Sequence, residues 1–371
     1  MNIYSYNVNN EKKYIKFFLL IFLLQFIISC DTCDCIDNNS HTISYNNIYL
    51  TAKSLNNNSW FCLLFSDGEI TRLANNSQLF STLSDNGKLA LLLYEYDKNT
   101  KKIILRDLNG DTSGIEVCNS NILDYQYPVL SNNGEHILYN INNELYLWNY
   151  NNQSGSAYLE LLTSNFCFNN TIPSFSYNGQ YIAFIEKLNS STTLTIVKTK
   201  EPEYTLLKKE IYIEQNKFTE IKWMPNKNAF YFILNDTTAY YYDIENGEQI
   251  ITFGNKTNLG VTNLDISADG KYIVFLNLKN ELWLKNTTTN GFFKLLSKIN
   301  NNDFSNPKFN YDNSKLMLFC HTKLVNSDIK NKTGDLYLLE LNFQNNIPKV
   351  TNSILLFNNV STAYWGRYTT L

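Results

Sequence analysis

The chain has 371 residues, a formal net charge of −3 and a pI near 5.7. A protein that neutralises nucleic-acid phosphates needs a concentrated basic surface, and no dense cluster of Lys and Arg follows residue 16, so the charge pattern argues against a nucleic-acid partner. The 26 Tyr and 23 Phe, against only 14 Gly and 6 Pro, favour half-buried β-strands and therefore a sheet protein.

The first thirty residues have the pattern of an export signal. Lysines at positions 12, 13 and 16 precede an apolar run, residues 17–28, of about 12 residues. Because about 20 apolar residues are needed to span a bilayer, the run favours a cleaved signal over a retained transmembrane helix. An ordinary signal peptide and an N-terminal membrane anchor remain as alternatives.

The end of this segment, Ile27-Ile28-Ser29-Cys30, resembles the lipobox of bacterial lipoproteins. The resemblance implies that the Cys30 thiol receives a diacylglyceryl group and that cleavage makes Cys30 the new N-terminus. Residues 1–29 are then a lipoprotein signal peptide, and residues 30–44 are a lipidated, flexible tether to a membrane. Cys30 and Cys33 also form a CxxC pattern that could bind a metal or form a disulfide, but no second CxxC is present to complete a metal site.

Residues 45–371 contain a repeat of about 45 residues. Its mark is Ser-x-Asn-Gly or Ser-x-Asp-Gly followed by an apolar strand, and copies lie at 81–92, 128–139, 173–184 and 264–275, with degenerate copies at 221–227 and 307–313. The turn residues are 43 to 48 positions apart: Gly87, Gly134, Gly179, Lys227, Gly270 and Asn313. Since Asn-Gly and Asp-Gly accept a positive φ, each copy predicts a tight hairpin between a first and a second strand.

Each copy continues into a third and a fourth predicted strand. The third has an acidic-Leu-aromatic-Leu pattern, at 144–147, 281–284 and 335–338, and the more variable fourth lies at 158–162, 249–253 and 292–296. The chain also begins with strands two to four of a repeat, at 49–52, 60–65 and 69–73, and ends with a lone first strand at 362–365. The pattern predicts an all-β fold, a single β-propeller of seven four-stranded blades over residues 45–371, closed by pairing N-terminal strands with the C-terminal strand.

The repeat at 173–184, Pro-x-Phe-Ser-x-Asn-Gly-x-Tyr-Ile-Ala-Phe, resembles the WD40-like repeat of TolB-type propellers. The resemblance covers residues 45–371 as a repeat pattern and implies a place in the bacterial cell envelope, on the periplasmic side of a membrane or at the cell surface. TolB itself has an α/β domain before its propeller, and residues 31–44 are too few to form one. Functions that depend on that domain therefore do not carry over.

Groups that could support catalysis are sparse in the sequence. A Gly-x-Ser-x-Gly motif is absent, and the three His, at positions 41, 136 and 321, lack metal-ligand spacing, so we expect neither a metal nor a cofactor. His136 occupies the repeat position of Tyr181 and Tyr272, which indicates a structural role. Residues 107–113 have oxygen side chains spaced as in a calcium loop, but their place at an expected hairpin favours a turn. Four cysteines are expected to act as small apolar residues: Cys62, Cys118, Cys167 and Cys320.

The predicted ligand-binding residues lie in loops that lead into the innermost strands and so surround the mouth of the central channel. They are Tyr125, Tyr127, Asn170, Phe304 and Asn306. A long insertion, residues 322–334, is expected to project on the same face, and such loops are mobile or functional. The recurring Trp148 and Trp283 could stack on sugars, although packing between blades is the favoured interpretation.

Together these features predict a monomeric, non-enzymatic envelope lipoprotein, held to a membrane through the lipid on Cys30, whose propeller binds a protein or peptide. A glycan-binding or glycan-processing propeller, with acidic and aromatic residues at the channel mouth, is one alternative. A surface adhesin is another.

Overall fold

Every regular element in the described part of the chain is a β-strand. The computed structural model describes residues 47–53, 59–65, 69–75, 77–79, 83–84, 89–95, 101–108, 114–120, 126–141, 143–151, 156–165, 172–188, 191–199, 211–213, 218–234, 238–246, 260–298, 302–322, 333–344 and 347–365. These residues contain no helix that is long and apolar enough to span a membrane. The predicted signal peptide and tether, including Cys30, lie outside them.

The strands are β1 (Ile48–Lys53), β2 (Ser59–Leu64), β3 (Ile70–Asn75), β4 (Ser77–Leu79), β5 (Leu89–Glu95), β6 (Lys101–Asp107), β7 (Ile115–Ser120), β8 (Gln126–Leu130), β9 (His136–Ile141), β10 (Glu144–Asn151), β11 (Ser156–Thr163), β12 (Ser174–Phe175), β13 (Tyr181–Leu188), β14 (Ser191–Lys198), β15 (Ile211–Ile213), β16 (Phe218–Trp223), β17 (Ala229–Leu234), β18 (Thr238–Asp243), β19 (Asn263–Ile266), β20 (Tyr272–Leu276), β21 (Leu282–Asn286), β22 (Phe292–Leu296), β23 (Asn302–Phe309), β24 (Lys315–Thr322), β25 (Gly334–Gln344) and β26 (Ile347–Trp365).

These strands form six antiparallel sheets, so the all-β prediction is confirmed. Four sheets have four strands each: β4–β7, β8–β11, β12–β15 and β19–β22. The β16–β18 sheet has three described strands, and the fourth strand predicted for it, residues 249–253, lies outside the described residues. Within these sheets, strands that follow one another along the chain are neighbours, as expected for a repeat built of hairpins.

The sixth sheet joins the two ends of the described chain, with seven strands in the order β23-β24-β25-β26-β1-β2-β3. Its strand β26 is 19 residues long and pairs first with β25, over residues 347–360. The last residues of β26 pair with β1, where Leu50 lies opposite Ala363. The predicted pairing of a C-terminal with an N-terminal strand is therefore present, but the lone strand expected at 362–365 is the end of a longer one.

Four of the described hairpin turns, those at Gly134, Gly179, Gly270 and Asn313, share one geometry. At the first described turn, the Gly134 N–H donates to the Ser131 carbonyl (3.0 Å), and the Ser131 hydroxyl accepts the His136 N–H (2.9 Å). Of the four turn residues only Gly134 has a positive φ, 77°, so the Asn-Gly pair does not form the two-residue turn expected of a tight hairpin. The serine hydroxyl replaces part of the strand ladder instead. Equivalent bonds recur at Ser176–Tyr181, Ser267–Tyr272 and, with an asparagine amide in place of the hydroxyl, Asn310–Lys315.

In the described residues the core consists of seven apolar clusters, of which six join two successive sheets and one lies within the seven-stranded sheet. Leu138 packs with Phe184 between the β8–β11 and β12–β15 sheets, and Tyr231 packs with Phe275 between the β16–β18 and β19–β22 sheets. The same relation holds for the other neighbouring sheets, including the β1–β3 strands with β4–β7. Within the seven-stranded sheet, a further cluster joins β24 and β25 to β26, β1 and β2. The core therefore lies mainly between apolar faces of neighbouring sheets.

Several side chains outside the turns have the structural roles predicted for them. Cys62 and Cys320 are buried, and burial raises the pKa of Cys62 to about 12. His136 Nδ1 lies 2.6 Å from Asn149 Oδ1, its ring stacks on Phe175, and burial lowers its pKa. The side chain of Cys118 and the whole of Cys167 lie outside what the structure describes, as do residues 323–332 of the predicted insertion.

Candidate functional site

Three successive sheets carry a charged side chain at the same repeat position. The position lies five residues before the turn residue, and it is Lys222 on β16, Asp265 on β19 and Lys308 on β23. These strands meet in order, since β16 contacts β19 and β19 contacts β23. With Glu220 on β16 and Tyr364 on β26, the three residues form what we call the charged cluster.

The two carboxylates of the charged cluster each bind the first strand of the following sheet. Glu220 Oε2 accepts the Leu264 N–H at 3.0 Å, and Asp265 Oδ2 accepts the Phe309 N–H at 2.9 Å. A carboxylate that accepts a backbone N–H forms a charge-assisted hydrogen bond, which is shorter and stronger than a neutral one. These contacts hold neighbouring first strands together and fix the positions of both acids.

Lys222 and Glu220 form an ion pair that reaches solvent. The distance from Lys222 Nζ to Glu220 Oε1 is 3.4 Å, and the two side chains are 33% and 21% exposed. Both are enclosed by protein on most sides, yet neither is sealed. The pair is therefore accessible to a ligand that can displace water from it.

Lys308 connects β23 to the last residues of β26. Its Nζ donates to the Ala363 carbonyl at 2.8 Å and lies 3.4 Å from the centre of the Tyr364 ring. A cation over an aromatic face is attracted by the negative potential of the ring. The Trp365 indole N–H also donates to the Lys308 carbonyl, at 3.2 Å.

Burial and neighbouring charges set the pKa values in the charged cluster. Burial raises the pKa of Glu220 and of Asp265, and the positive charge of Lys222 opposes both shifts. Burial alone would lower the pKa of Lys222, but the two carboxylates outweigh it and raise that pKa. Burial, reinforced by repulsion from Lys222, lowers the pKa of Lys308 to about 7. Lys308 therefore changes its charge close to neutral pH.

A polar groove of about 460 Å³ lies at the hairpin turns of the β12–β15 and β16–β18 sheets. Across it, the Asn178 amide donates to Asn228 Oδ1 at 3.0 Å, and the Asn228 amide donates to Glu245 Oε1 at 2.9 Å. Asp243, also in the lining, accepts the N–H groups of Glu245 and Asn246. Because these groups bind one another and stabilise the turns, the groove is a weaker candidate than the charged cluster.

The structure places three of the five predicted ligand-binding residues. Tyr127 lies in β8, with a side chain that is not described, and Phe304 and Asn306 lie in β23. The strands thus begin earlier than predicted, because each continues through a bulge at a proline that has no N–H for the ladder, Pro128 or Pro307. Phe304 is only 5% exposed and packs in the core, whereas Asn306 is exposed. Tyr125 and Asn170 lie outside the described residues, and ligand binding by any of the five stays a prediction.

Sequence reasoning missed Lys222, Asp265 and Lys308. In the aligned repeats they share one column with Val129 and Ser174, so the position varies from apolar to acidic to basic. A repeat position that varies in this way defines no sequence motif. A charged residue at a strand position next to the core could nevertheless have indicated a candidate site. Among the described residues, no three His, Cys, Asp or Glu side chains come together as metal ligands.

No protein-family model and no curated protein matches the sequence, whereas solved structures do. The β-propeller domain of Cps50 (Swd1) from Myceliophteria thermophila is 12% identical, with 73% of this chain and 89% of that chain covered at a TM-score of 0.52. The chain has the β-propeller fold.

Two further solved structures are also similar. A Bacteroides uniformis protein provisionally assigned as a 6-phosphogluconolactonase is 14% identical, with 85% of this chain and 98% of that chain covered at a TM-score of 0.54. TolB from Acinetobacter baumannii is 13% identical, with 90% of this chain and 89% of that chain covered at a TM-score of 0.45. Identities this low show the fold alone. In a propeller the blades surround a central channel, and the charged cluster lies on the first strands of successive blades.

Proposed function

We propose that the protein is a monomeric lipoprotein of the bacterial cell envelope whose propeller binds a protein or peptide partner at its central channel. The observation that carries the proposal is the charged cluster. Amines and carboxylates from β16, β19 and β23 meet there, and Lys222 and Glu220 remain partly exposed. This combination of positive and negative side chains is complementary to an extended peptide segment that itself carries both signs of charge.

The proposed propeller has seven blades and a closed ring. In this arrangement the seven-stranded sheet counts as two blades, β23–β26 and β26–β1–β2–β3, which share the long strand β26. Apolar clusters between successive sheets support it, because one of them joins β1 and β2 to β5. Because β26 pairs with β1, neither of these two strands is left as an unpaired edge at the junction.

The proposed anchor is the lipid on Cys30, and it is supported by the export pattern of residues 1–29. Neither a lipid nor its attachment follows from the fold. The short tether, residues 30–44, would hold the propeller close to the membrane, near the strand β1 that pairs with β26.

Partner binding is tested with the full-length protein in detergent, immobilised and exposed to solubilised envelopes of its own host. The double variant Lys222→Met, Lys308→Met should lose at least about tenfold of the partner that the wild type retains, because both amines of the charged cluster are removed. A higher salt concentration should lower the fraction of partner that is retained, because salt screens exposed charges. Lys271→Met is the matched control, because Lys271 lies in a turn with a side chain 66% exposed.

The proposal fails if the wild type retains no partner, or if the double variant retains the same partner as fully as Lys271→Met does. Thermal melting of both variants establishes that they remain folded.

The anchor is tested by mass spectrometry of the mature N-terminus. We expect a diacylglyceryl-modified Cys30 at the first position, and we expect Cys30→Ser to abolish both the modification and recovery in the membrane fraction. Cys33→Ser should keep both, because only Cys30 directly follows the apolar run and Ser29. An unmodified N-terminus, or equal loss in both variants, would count against the lipoprotein.

A further inference from the structure

A serine and a histidine meet where β23 and β24 lie side by side. Ser305 Oγ is 2.6 Å from His321 Nε2, and both residues are half-buried. Ser305 lies on the same strand as Lys308, between the two predicted channel-mouth residues Phe304 and Asn306. His321 lies one residue before the end of β24, beside the predicted insertion.

The other ring nitrogen of His321 fixes the direction of this hydrogen bond. Nδ1 lies 3.1 Å from the Thr333 carbonyl oxygen, which can only accept. Nδ1 therefore carries the proton of the neutral ring, and Nε2 is the acceptor. The Ser305 hydroxyl must donate to Nε2, which is the arrangement in which a histidine acts as a base toward a serine.

The packing around His321 holds the ring in this orientation. The ring stacks on Phe319, with centroids 6.2 Å apart and planes at 10°. A Cβ at Gly334 would lie 2.7 Å from both Cε1 and Nδ1 of the ring, so this position has room only for glycine. Asp303 is the cross-strand partner of His321, and its carboxylate forms an ion pair with Lys298, whose Nζ lies 2.7 Å from Asp303 Oδ1.

The backbone on the serine side is held as firmly. The Asn280 side chain, on the preceding blade, accepts the Phe304 N–H at 2.5 Å and donates to the Phe304 carbonyl at 2.9 Å. The bulge follows at once, since Asn306 and Pro307 have no partner in the β23–β24 register and Asn306 has a φ of 47°. Ser305 therefore lies between Phe304, whose backbone is held by Asn280, and the exposed side-chain amide of Asn306.

We propose that Ser305 and His321 form a nucleophile–base pair that transfers the acyl group of a carboxylic ester to water. Ser305 Oγ bonds to the ester carbonyl carbon as its proton passes to His321 Nε2. The carbon–oxygen bond to the leaving alcohol then breaks, and His321 returns the proton to that alcohol. Water, with His321 again as base, releases the carboxylic acid and restores the hydroxyl. We assign the Asn306 amide as the donor to the oxyanion.

This inference goes beyond the binding function and does not depend on it. The test is covalent labelling of the full-length, detergent-solubilised protein with an alkyl fluorophosphonate. Ser305 Oγ would form a bond to phosphorus, fluoride would leave, and His321 would take the proton. We expect one adduct, mapped to Ser305 by peptide mass spectrometry, and release of p-nitrophenol from p-nitrophenyl acetate.

Four variants separate chemistry from folding. Ser305→Ala should abolish the adduct, and His321→Gln should slow labelling by about 10²-fold or more. Asn306→Gly keeps the positive φ but removes the amide, and it should slow labelling by about 10²-fold. Gly334→Ala retains all three side chains, but its methyl group would displace the His321 ring, so this variant should also label slowly.

Ser174→Ala is the control, because Ser174 lies on the first strand of another blade without a histidine among its described hydrogen bonds, and it should label at the wild-type rate. The proposal is overturned if folded wild type carries no adduct at Ser305, or if His321→Gln labels as fast as wild type. Partner retention, measured separately, distinguishes this failure from failure of the binding function.

Discussion

At the scale of the residue, Lys308 shows how a charged side chain can persist inside a propeller. Its amine has lost most of its water, and Lys222 repels its charge, but Asp265 and Glu220 attract it and Tyr364 offers an aromatic face. Burial and repulsion win, which is why the pKa falls to about 7. An anionic ligand near Lys308 would restore the charge by raising that pKa.

This shift predicts how the stability of the protein changes with pH. Between pH 7 and the ordinary lysine value of 10.5, the folded protein holds fewer protons at Lys308 than the unfolded chain does. The contribution of Lys308 to the free energy of unfolding therefore rises with pH in this window, by at most about 1.4 kcal/mol per pH unit. Relative to Lys308→Met, the wild type should gain stability in urea unfolding from pH 7 to 10. The difference in free energy of unfolding between the wild type and Lys271→Met should not change with pH. If the difference between the wild type and Lys308→Met does not change either, the pKa of Lys308 is not lowered.

At the scale of the element, the hairpin turns show one structural role of asparagine in this chain. Turn asparagines bind the neighbouring turns: Asn132 donates to the Tyr177 carbonyl at 2.8 Å, and Asn313 Oδ1 accepts the Ala268 N–H at 2.9 Å. Asparagine thus serves twice, because it tolerates turn conformations and its amide spans to the next blade. The turns form part of the contact between blades.

The turn geometry predicts that Gly179 tolerates asparagine better than alanine. Its φ is 68°, but a Cβ would meet only Asn133 at ordinary contact distances of 3.7–3.8 Å. Gly179→Ala should therefore lower the free energy of unfolding by about 1–2 kcal/mol through the backbone alone. Gly179→Asn should cost less, because asparagine visits the left-handed region more readily. Urea unfolding measures both, and equal losses would show that crowding, not φ, limits this site.

The same turns show how far sequence reasoning could reach. Turn chemistry is local, so Ser-x-Asn-Gly at a regular spacing predicted the first and second strands of each blade and, through them, the propeller. The charged cluster depends on packing between blades, and nothing local to Lys222 or Asp265 indicates that they meet. Ser305 and His321 are brought together by the β23–β24 register, which the bulge at Pro307 shifts by one residue. A one-residue shift changes which side chains share a face, and the sequence alone does not reveal it.

At the scale of the whole molecule, the long strand β26 links the last repeat to β1, the first strand that the structure describes. Val360, Ala363 and Trp365 pack in one core cluster with Leu50 from β1 and Phe319 from β24. Residues far apart in sequence therefore share one buried region. Contacts of such high sequence separation must form late or slowly, because a large loop has to close first. The proposed closed ring makes every blade dependent on this junction.

The last prediction concerns that junction. Ala363 is fully buried opposite Leu50, so Ala363→Asp would place an unpaired carboxylate in the core between β26 and β1. We expect the free energy of unfolding to fall by about 3 kcal/mol or more, and the freed edge of β1 should cause aggregation in size-exclusion chromatography. Ser353→Asp adds the same charge at an exposed position of the same strand and should change stability by less than about 0.5 kcal/mol. If the two variants unfold at the same urea concentration and both stay monomeric, the N-terminal and C-terminal strands do not hold the ring closed.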